Sequence, residues 1–574
     1  MGLFNRKPGQ TVQEKLAEWV PQLTLTDKLL LEDIYWERIF LHMAVLADFD
    51  EEPEFFLVRY NRKANTIHEM NFYESVPISY KERDGHVYMF CLNIAAINGR
   101  TFLDNGNWIL QCRVPGQEDA YTVMPTYDVA YHLEDKCRIF RYGGGTFSYD
   151  ISVDTFTQGQ EIVLAFHSHF MIENKGWKKR QWVREVKGFP RKVKRFRKAS
   201  IRKGVNIVYQ ILATLHHNTG KNVMFMSETR GTLWGNLKAI NDRMIERGLD
   251  KEFHITYNIR KAVGNKAGLW SWIKTVAKIA QQDYIFVDDY TPVFGHIKLQ
   301  KNTKLIQLWH AGEGFKAVGY CRFGKGGPYP IETCHKEYDY VVVGSKKLIH
   351  TFEEVFGIEE EAFLPVGMAR LDGFLDPEYM ESCKKTFYEQ YPMAKGKKLI
   401  LFAPTFRGGS QKVAYYPKNA LDLKRVYEFL GDEYIWAFKM HPFIKDPVEI
   451  PEEYKDRMID LSEWMNINDL YYVTDLLITD YSSNFYEYAL MERPVLFYTF
   501  DRENYELTRG VHRSVKDNAP GKVCDSFDEM MEALKNKDFE EEKIHQFVKD
   551  NFSEYDGHAS DRVIDTILLG KNHQ

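Results

Sequence analysis

From Asn222 onward, short apolar runs alternate with segments of helical periodicity, and this alternation most constrains the fold. One series of candidate strands extends from Asn222 to Val343, and a second extends from Lys398 to Tyr498. Short continuous apolar runs are typical of parallel strands that are buried on both faces. Two such series, joined near residues 366–376, predict two doubly wound α/β domains that face one another across a cleft. The candidate strands are 222–226, 253–257, 284–287, 305–309, 340–343, 398–402, 434–439, 475–479 and 494–498.

The N-terminal part of the chain has a different pattern. Apolar and polar residues alternate along runs such as His86–Ile94 and Glu161–His169, and turn sequences such as Asn98-Gly99 separate the runs. This pattern predicts a small antiparallel sandwich or barrel. The triple glycine at 143–145 invites comparison with a phosphate-binding loop, but no helical pattern follows it, so a hairpin turn is the better interpretation.

A chain of 574 residues is too long for one hydrophobic core, and typical domain sizes suggest about three or four units. Its 44% hydrophobic and 27% charged residues are typical of a globular protein. The composition shifts predict an N-terminal segment (1–22), a β-rich domain (23–173), a basic linker (174–220), and α/β domains at 221–365 and 366–574.

The sequence also bears on compartment and metal chemistry. No apolar run approaches the roughly 20 residues that span a bilayer, and Met1–Lys7 lacks the apolar stretch of a signal peptide. The seven cysteines are scattered and include no Cys-x-x-Cys pair, which favours neither a zinc site nor a disulfide framework. We therefore expect a protein of the cytosol with no metal and no cofactor.

Positive charge is concentrated in the segment from Lys175 to Lys203. This segment carries a formal charge of +13, and the rest of the chain carries −18. Aromatic residues such as Trp177 and Phe196 are interleaved with the cations, as in a helix that lies on an anionic membrane surface. Pro190 would break or kink that helix. A solvated linker is one alternative, and a nucleic-acid patch is another. Because no nucleic-acid-binding module accompanies the segment and the rest is acidic, we expect no nucleic-acid partner.

The stretch from Leu476 to Met491 predicts a buried strand, a polar turn and a helix. Ser482 and Ser483 lie in the turn, where the unpaired N–H groups of the helix and the two hydroxyls can bind a phosphate. The alternative is ordinary capping, with Asn484 as N-cap and Glu487 reaching back in a capping box.

Polar side chains also follow other strands of both series. Because ligands bind beyond the carboxyl ends of strands in doubly wound sheets, we expect these side chains to converge on one cleft. Such a cleft would stabilise a diphosphate and the charge that develops as a bond to phosphorus breaks. A histidine near its ordinary pKa could accept a proton from an attacking hydroxyl. Each residue could instead be structural, as a packed histidine or an ion pair. The set comprises His310, Lys316, Thr405, Arg407, Lys439, His441, Asp480, Tyr498, Asp501, Arg509 and His512.

Five segments, in their order and spacing, resemble the CDP-glycerol glycerophosphotransferase family of teichoic-acid polymerases and primases. The resemblance extends roughly from Asn222 to His545, and weaker similarity in Ile34–Arg38, Tyr284–Asp289 and Gly324–Pro328 resembles the branch that polymerises ribitol phosphate. The family's Trp-His-Gly-Thr reads Trp-His-Ala-Gly-Glu here. The five segments are Leu308–Ala311, Pro365–Asp372, Leu401–Arg407, Lys439–Pro442 and Ile478–Ser483.

The resemblance implies a GT-B-like pair of Rossmann-type domains, a CDP-polyol donor, and release of CMP at the cytoplasmic face of the membrane. By position, His310 is implied to be the general base, and His441 to hold or protonate the diphosphate. Asp480 and Glu487 are implied to contact the ribose or cytidine, and Lys316 and Asp289 to face the acceptor. Asp288 and Asp289 resemble a metal-binding pair, but a loop or cap role is the simpler interpretation. The implied phosphate contacts are Thr405, Arg407, Lys439, Ser482, Ser483 and Arg509.

The sequence thus favours a peripheral-membrane transferase. It would move polyol phosphate from CDP-ribitol or CDP-glycerol to the hydroxyl end of a lipid-linked teichoic-acid or capsular polymer. The expected partners are the donor, that polymer and an anionic membrane surface, and a homo-oligomer stays open. One alternative is a GT-B glycosyltransferase that uses a nucleotide-sugar. Another is a catalytically silent polymer-binding or scaffold protein, which the altered residues after His310 keep open.

Overall fold

In a computed structural model, the chain divides into two compact units. Unit 1 comprises residues 1–189, 319–331 and 353–359, and unit 2 comprises residues 190–318, 332–352 and 360–574. The basic segment 175–203, the 324–328 loop and the triple glycine lie outside the described residues, so the predictions made for them stay predictions. The structure describes residues 23–62, 70–142, 147–158, 161–172, 204–215, 219–228, 231–260, 269–312, 315–322, 333–408, 413–446, 448–553 and 555–571.

Unit 1 is built from two sheets in which most neighbouring strands are antiparallel. Its strands are β1 (Leu29–Glu37), β2 (Phe40–Ala47), β3 (Glu54–Arg62), β4 (Met70–Ile78), β5 (Glu82–Asp84), β6 (Val87–Asn93), β7 (Gly106–Arg113), β8 (Ala120–Thr122), β9 (Met124–Pro125), β10 (Arg138–Tyr142), β11 (Phe147–Gln158) and β12 (Glu161–Ile172). One sheet has the order β5-β6-β2-β1-β9, and the other has the order β10-β11-β12-β7-β3-β4, with β8 paired to β7.

Apolar side chains from both sheets form one core. Leu29 and Val45 of the first sheet and Trp108 and Tyr149 of the second are fully buried in the same cluster. The alternating runs that predicted strands coincide with β6 and β12. Strands β10 and β11 pair antiparallel on both sides of the triple glycine, up to Tyr142 opposite Phe147.

Residues 319–331 and 353–359 also belong to unit 1, and polar contacts join each segment to it. Arg38 donates a hydrogen bond of 3.3 Å to the backbone oxygen of Cys321. Glu354 accepts a hydrogen bond of 2.7 Å from Arg38, and the backbone oxygen of Glu353 accepts one of 2.8 Å from Asn93. Glu359 likewise pairs with Arg100 at 2.8 Å. These contacts explain why the unit is not continuous in sequence.

Unit 2 contains two six-stranded parallel sheets, which confirms the α/β class with several sheets. The first sheet contains β13 (Asn222–Ser227), β14 (His254–Ile259), β15 (Tyr284–Val287), β16 (Lys304–Gln307), β17 (Tyr340–Val342) and β18 (Phe363–Leu364). The second contains β19 (Lys398–Phe402), β20 (Tyr434–Phe438), β21 (Met458–Asp460), β22 (Leu476–Thr479), β23 (Val495–Tyr498) and β24 (Lys522–Cys524).

The strand orders locate the crevice at which each sheet can bind a ligand. The first sheet has the order β14-β13-β15-β16-β17-β18. The chain places β14 on one side of β13 and β15 on the other, so the topological switch point lies between β13 and β15. The second has the order β21-β20-β19-β22-β23-β24, and its topological switch point lies between β19 and β22. Ligands bind beyond the carboxyl ends of the strands at such points. The loops after β15, β19 and β22 are therefore the positions to examine.

Helices occur in both units, and α1 belongs to unit 1. They are α1 (Tyr127–Tyr131), a helix whose described residues are 204–215, α2 (Gly235–Glu246), α3 (Leu269–Ile279), α4 (Lys347–Phe356), α5 (Pro377–Gln390), α6 (Leu423–Leu430), α7 (Ile467–Tyr471), α8 (Asn484–Ala489), α9 (Arg502–Thr508), α10 (Val515–Asn518), α11 (Phe527–Asn536), α12 (Glu542–Asn551) and α13 (Ala559–Val563). Within the described ranges, none is long and apolar enough to cross a bilayer.

The last helix packs on the first sheet, although it follows the second in sequence. Val563 and Ile567 lie in the same buried cluster as Val223 and Leu237. Arg247 adds ion pairs to Asp561 at 2.9 Å and to Asp565 at 2.6 Å. The C-terminal segment therefore completes the core of the first sheet.

Tyr486 of α8 is held between two glycines of the first half of unit 2. A Cβ atom at Gly312 would overlap the Tyr486 ring, and a Cβ atom at Gly344 would overlap its hydroxyl. Tyr486 is fully buried, so neither glycine can be enlarged without moving packed atoms.

We expect Gly312→Ala to lower the free energy of unfolding by about 1–3 kcal/mol, since overpacking a rigid interior forces side chains from their preferred conformations. Denaturant unfolding followed by fluorescence measures the effect. Gly373→Ala is the matched control because no atom lies within 4 Å of the added Cβ. Equal stability of the two variants would show that the Tyr486 ring does not limit the size of the side chain at position 312.

Candidate functional site

A cleft of about 700 Å³ lies between the two parallel sheets of unit 2. Its walls combine the start of α2, the segment that joins the two halves, and the loops after β19, β20 and β22. Lining residues from the sequence-predicted set are Lys439, His441 and Ser482. The lining also includes Gly235, Arg370, Ala403 and Asn484.

His310 follows β16 and is not among the lining residues of this cleft in the described part of the chain. Asn236, the neighbour of the lining residue Gly235, donates to the backbone oxygens of Leu308 and Trp309 in the turn before His310. The ring is exposed, and its Nδ1 lies 3.2 Å from the backbone oxygen of Asp288. Because a carbonyl oxygen can only accept, Nδ1 carries the proton, and the lone pair of the neutral ring is on Nε2. His310 therefore has the form of a proton acceptor.

His441 follows β20 and has the opposite arrangement. The backbone N–H of Phe443 donates to its Nδ1 at 3.1 Å, so the proton of the neutral ring is on Nε2. Burial, together with the nearby Lys316 and Lys439, lowers the pKa of His441 to about 4. The ring is therefore neutral at physiological pH and has the form of a hydrogen-bond donor.

Arg407 lies in a buried ion-pair network rather than in the cleft. Its guanidinium contacts Asp480 at 2.8 Å and Asp501 at 2.6 Å. The second oxygen of Asp480 accepts a hydrogen bond of 2.7 Å from the backbone N–H of Thr405. Asp480 and Thr405 are fully buried. The guanidinium also lies 5.2–5.6 Å from the ring centres of Tyr416, Tyr481, Phe500 and Tyr505.

The serine turn differs from the capping alternative. Ser483, and not Asn484, is the N-cap of α8, and its hydroxyl makes no capping hydrogen bond among the described residues. Asn484 instead donates to the backbone oxygen of Ala403 at 2.9 Å. Glu487 is buried and accepts a hydrogen bond from Arg370, so the structure does not contain the capping box of the alternative interpretation. The carboxylate is drawn to a guanidinium because a buried charge requires a partner.

Lys316 and Arg509 meet around the ring of Phe406, which is nine per cent exposed. The Lys316 ammonium lies 5.6 Å from the ring centre, the Arg509 guanidinium lies 5.4 Å from it, and the His441 ring lies 4.8 Å from it. Lys316 also donates a hydrogen bond to the Thr405 hydroxyl. Backbone pairing of Lys316 with Val511 brings this loop of the first half against the second.

The charged form of Lys316 is destabilised by its surroundings, so a nearby anion would stabilise it. Burial lowers the pKa of Lys316 to about 8, with Asp480 opposing that shift and Arg509 and Arg407 adding to it. Lys439 is also buried, which lowers its pKa, and it donates to the backbone oxygen of Ser462 at 2.8 Å. A bound phosphate would stabilise the charged form of both lysines.

Four predicted residues remain. Tyr498 and His512 are buried, and the Tyr498 hydroxyl donates a hydrogen bond to the backbone oxygen of Ala420. Asp288 and Asp289 follow β15 of the first sheet. Asp289 accepts a hydrogen bond of 2.6 Å from the N–H of Tyr290, and its carboxylate lies 3.9 Å from the His310 ring. Burial raises the pKa of Asp288. Within the described ranges, no three His, Cys, Asp or Glu side chains group so as to hold a metal ion.

Sequence reasoning missed three residues that shape the site: Arg370, Asn236 and Phe406. Arg370 lies inside one of the five family-like segments, so its position carried a signal, but its buried partner Glu487 is 117 residues away. Phe406 also lies inside one of these segments, Leu401–Arg407, whereas Asn236 carried no signal because its partners come from distant parts of the chain.

We expect binding of CDP to weaken roughly tenfold between pH 7.5 and 9.5, because Lys316 loses its charge as pH rises through about 8. The charge of CDP is steady in that range, since its last phosphate pKa is about 6. Isothermal titration calorimetry measures the dissociation constant. In Lys316→Arg, which stays charged, the loss should largely disappear, whereas Lys439→Arg should retain it. An unchanged pH dependence in Lys316→Arg would refute the assignment.

Comparison with known proteins places the chain in a family. A family model described as CDP-Glycerol:Poly(glycerophosphate) glycerophosphotransferase matches residues 207–569. The chain is 31% identical to the teichoic acid ribitol-phosphate polymerase TarL of Staphylococcus aureus, across 94% of this chain and 98% of that protein. It is 35% identical to the teichoic acid poly(ribitol-phosphate) polymerase of Bacillus spizizenii, across 64% of this chain and 59% of that protein.

Among solved structures, the wall teichoic acid polymerase TagF superposes with a TM-score of 0.52 at 22% identity, across 68% of this chain and 98% of that one. That likeness supports the fold. The family match and the nearly full-length relative confirm the resemblance carried by the five segments. The chain therefore belongs to the CDP-glycerol:poly(glycerophosphate) glycerophosphotransferase family of polyol-phosphate transferases.

Proposed function

We propose that this chain transfers ribitol phosphate from CDP-ribitol to the hydroxyl end of a lipid-linked teichoic-acid polymer and releases CMP. Family membership supports polyol-phosphate transfer. The ribitol donor is favoured because relatives that share 31–36% identity with this chain are ribitol-phosphate polymerases. The observation that carries the mechanism is the pair of strand-end histidines whose protons are held on opposite nitrogens.

In the proposed reaction, the acceptor oxygen attacks the phosphorus that carries the ribitol. The bond from that phosphorus to the oxygen bridging the two phosphates breaks, and CMP leaves with the bridging oxygen. His310 receives the hydroxyl proton on Nε2, while its Nδ1–H stays fixed on the Asp288 carbonyl. The product is a phosphodiester that extends the polymer by one ribitol phosphate.

His441 binds the diphosphate as a neutral donor. With a pKa of about 4, its ring keeps one proton on Nε2 at physiological pH. The leaving phosphate needs no protonation because its last pKa is about 6. A fixed N–H directed at the bridging oxygen stabilises the charge that develops there.

Lys316, Arg509, Lys439 and the Ser482 hydroxyl are the proposed partners of the remaining phosphate oxygens. In this proposal Arg407, Asp480 and Glu487 act differently from the direct ligand contacts that the family resemblance implies. Their charges are already paired in buried networks. They hold the loops that present Thr405 and Ser482, and a direct contact would leave a buried carboxylate without its partner.

The two parallel sheets and their shared cleft fit a GT-B arrangement, which we include in the proposal. A glycosyltransferase is disfavoured because the family transfers phosphoryl groups. A catalytically silent role is disfavoured because the substitutions after His310 leave the ring and its Asp288 contact in place.

The test offers purified protein CDP-ribitol, CDP-glycerol or a UDP-sugar with a lipid-linked primer and measures nucleotide release. We expect CMP from CDP-ribitol, at a rate at least roughly a hundredfold lower in His310→Ala and His441→Ala. His545→Ala is a matched control, since this exposed histidine pairs with Glu492 away from the cleft.

Three results would decide against the proposal. Release of UDP would indicate glycosyl transfer. A clear preference for CDP-glycerol would reassign the donor. Wild-type rates in both cleft variants would remove the histidine mechanism.

We also propose that the protein works at the cytoplasmic face of the membrane, bound to anionic lipid. The helix at 204–215 follows the basic segment and exposes an apolar stripe. Ile207, Ile211 and Leu215 are 58%, 56% and 72% exposed, four residues apart, while Tyr209 on the opposite face is buried. Tyr209 accepts a hydrogen bond of 3.1 Å from the backbone N–H of Gln300, which orients the stripe outward.

We expect replacement of Ile207, Ile211 and Leu215 by Ser to reduce co-sedimentation with phosphatidylglycerol vesicles at least roughly tenfold. Neutralising Lys192, Lys194, Arg195 and Arg197 should reduce it similarly, at about 1 kcal/mol per basic side chain. Ile245→Ser, at an exposed site on α2, is the control. Undiminished binding of both multiple variants would show that the protein does not use this region to bind lipid.

A further inference from the structure

Trp309, the residue before His310, has a left-handed backbone conformation, with φ of +45°. This region is strained for a bulky residue, because its Cβ approaches the backbone closely. Such a conformation persists where surrounding contacts impose it. The turn that carries the proposed general base is therefore held by its neighbours.

Two buried amides impose this turn. The side-chain oxygen of Gln307 accepts a hydrogen bond of 2.8 Å from the Trp309 N–H. The side-chain NH₂ of Asn236 donates to the backbone oxygens of Leu308 at 3.0 Å and Trp309 at 2.7 Å. Both amides are buried, so the contacts are shielded from water.

Asn236 also connects this turn to the donor half of the cleft. Its side-chain oxygen accepts a hydrogen bond of 3.0 Å from the backbone N–H of Arg370. The Arg370 guanidinium in turn donates to Glu487 on α8, the helix that begins after the serine turn. A continuous set of polar contacts thus runs from the His310 turn through Asn236 and Arg370 to Glu487 of α8.

Asn is the side chain that fits this position. It offers two N–H bonds for the two carbonyls and one oxygen for the Arg370 N–H. Asp would keep the acceptor and lose both donors, and it would place negative charge beside two carbonyl oxygens. Ala would lose all three contacts.

We infer that Asn236 is a positioning residue for the transfer reaction, which fixes His310 relative to the diphosphate site. This inference rests on the proposed function. Asn236 acts through the Trp309 turn, so its loss should move the base while leaving the donor contacts of the second sheet intact. A misplacement of about 1 Å is sufficient to slow such a reaction roughly a hundredfold.

The test compares Asn236→Ala and Asn236→Asp in the CMP-release assay. We expect kcat to fall roughly a hundredfold in both, with the KM for CDP-ribitol and the dissociation constant of CDP within about twofold of wild type. The matched control is Asn241→Ala, a buried Asn of the same helix that accepts a hydrogen bond of 2.7 Å from Tyr257. That variant should retain wild-type kcat.

A double-mutant cycle with His310→Ala separates positioning from a general structural role. If Asn236 acts through His310, adding Asn236→Ala to His310→Ala should cost less than about twofold in residual turnover. Additive losses, or a matching loss of CDP affinity, would overturn the inference, as would wild-type kcat in both Asn236 variants. If His310→Ala itself is fully active, the proposed function fails first, so the two failures are distinguishable.

Discussion

The buried guanidinium of Arg407 joins three loops at the carboxyl edge of the second sheet, and the site depends on this junction. Arg407 follows β19, Asp480 follows β22 and Asp501 follows β23, so its two ion pairs tie together loops from strands that are distant in sequence. Burial opposes the charge, but the two carboxylates outweigh that cost and raise the pKa of Arg407. Removing one partner would leave an unpaired charge in the interior, which is far more costly than the loss of a surface pair. The network therefore specifies where Thr405 and the serine turn lie.

Because the Arg407 charge is neutralised by carboxylates, positive potential for a phosphate has to come from other side chains. In the proposed mechanism Lys316 and Arg509 supply it, and they come from different halves of unit 2. The backbone pairing of Lys316 with Val511 brings them together around Phe406. Because one cation comes from a loop of the first half, the proposed anion site is composite and binding of a diphosphate would draw on both halves. The low pKa of Lys316 follows from the same geometry, since burial beside two arginines disfavours its charge until an anion arrives.

Local pattern and spacing predicted the central strands well, because β15, β19 and β22 are continuous apolar runs whose length and bounds are visible in sequence. The edge strands β18, β21 and β24 were missed, since two or three residues carry no readable period. The expectation that ligand contacts follow the ends of strands found three residues that line the cleft, Lys439, His441 and Ser482. It could not tell a ligand contact from a structural ion pair, because the partners of Arg407 and Glu487 are 73 to 117 residues away and are brought near only by folding. The return of Val563 and Ile567 to the first core is hidden for the same reason.

In the proposed mechanism, His310 and His441 take two different tasks because their surroundings differ. A single backbone group determines which nitrogen of each neutral ring carries the proton. The Asp288 carbonyl can only accept, so the proton of His310 is on Nδ1. The Phe443 N–H can only donate, so the lone pair of His441 is on Nδ1. The His310 ring is exposed, whereas burial beside two lysines keeps His441 neutral. Because both residues are histidines, the difference between them comes from their backbone partners and not from the side chain. Exchanging their backbone partners would reverse the tasks, which is why the turns that precede and follow each ring constrain the chemistry as strongly as the rings themselves.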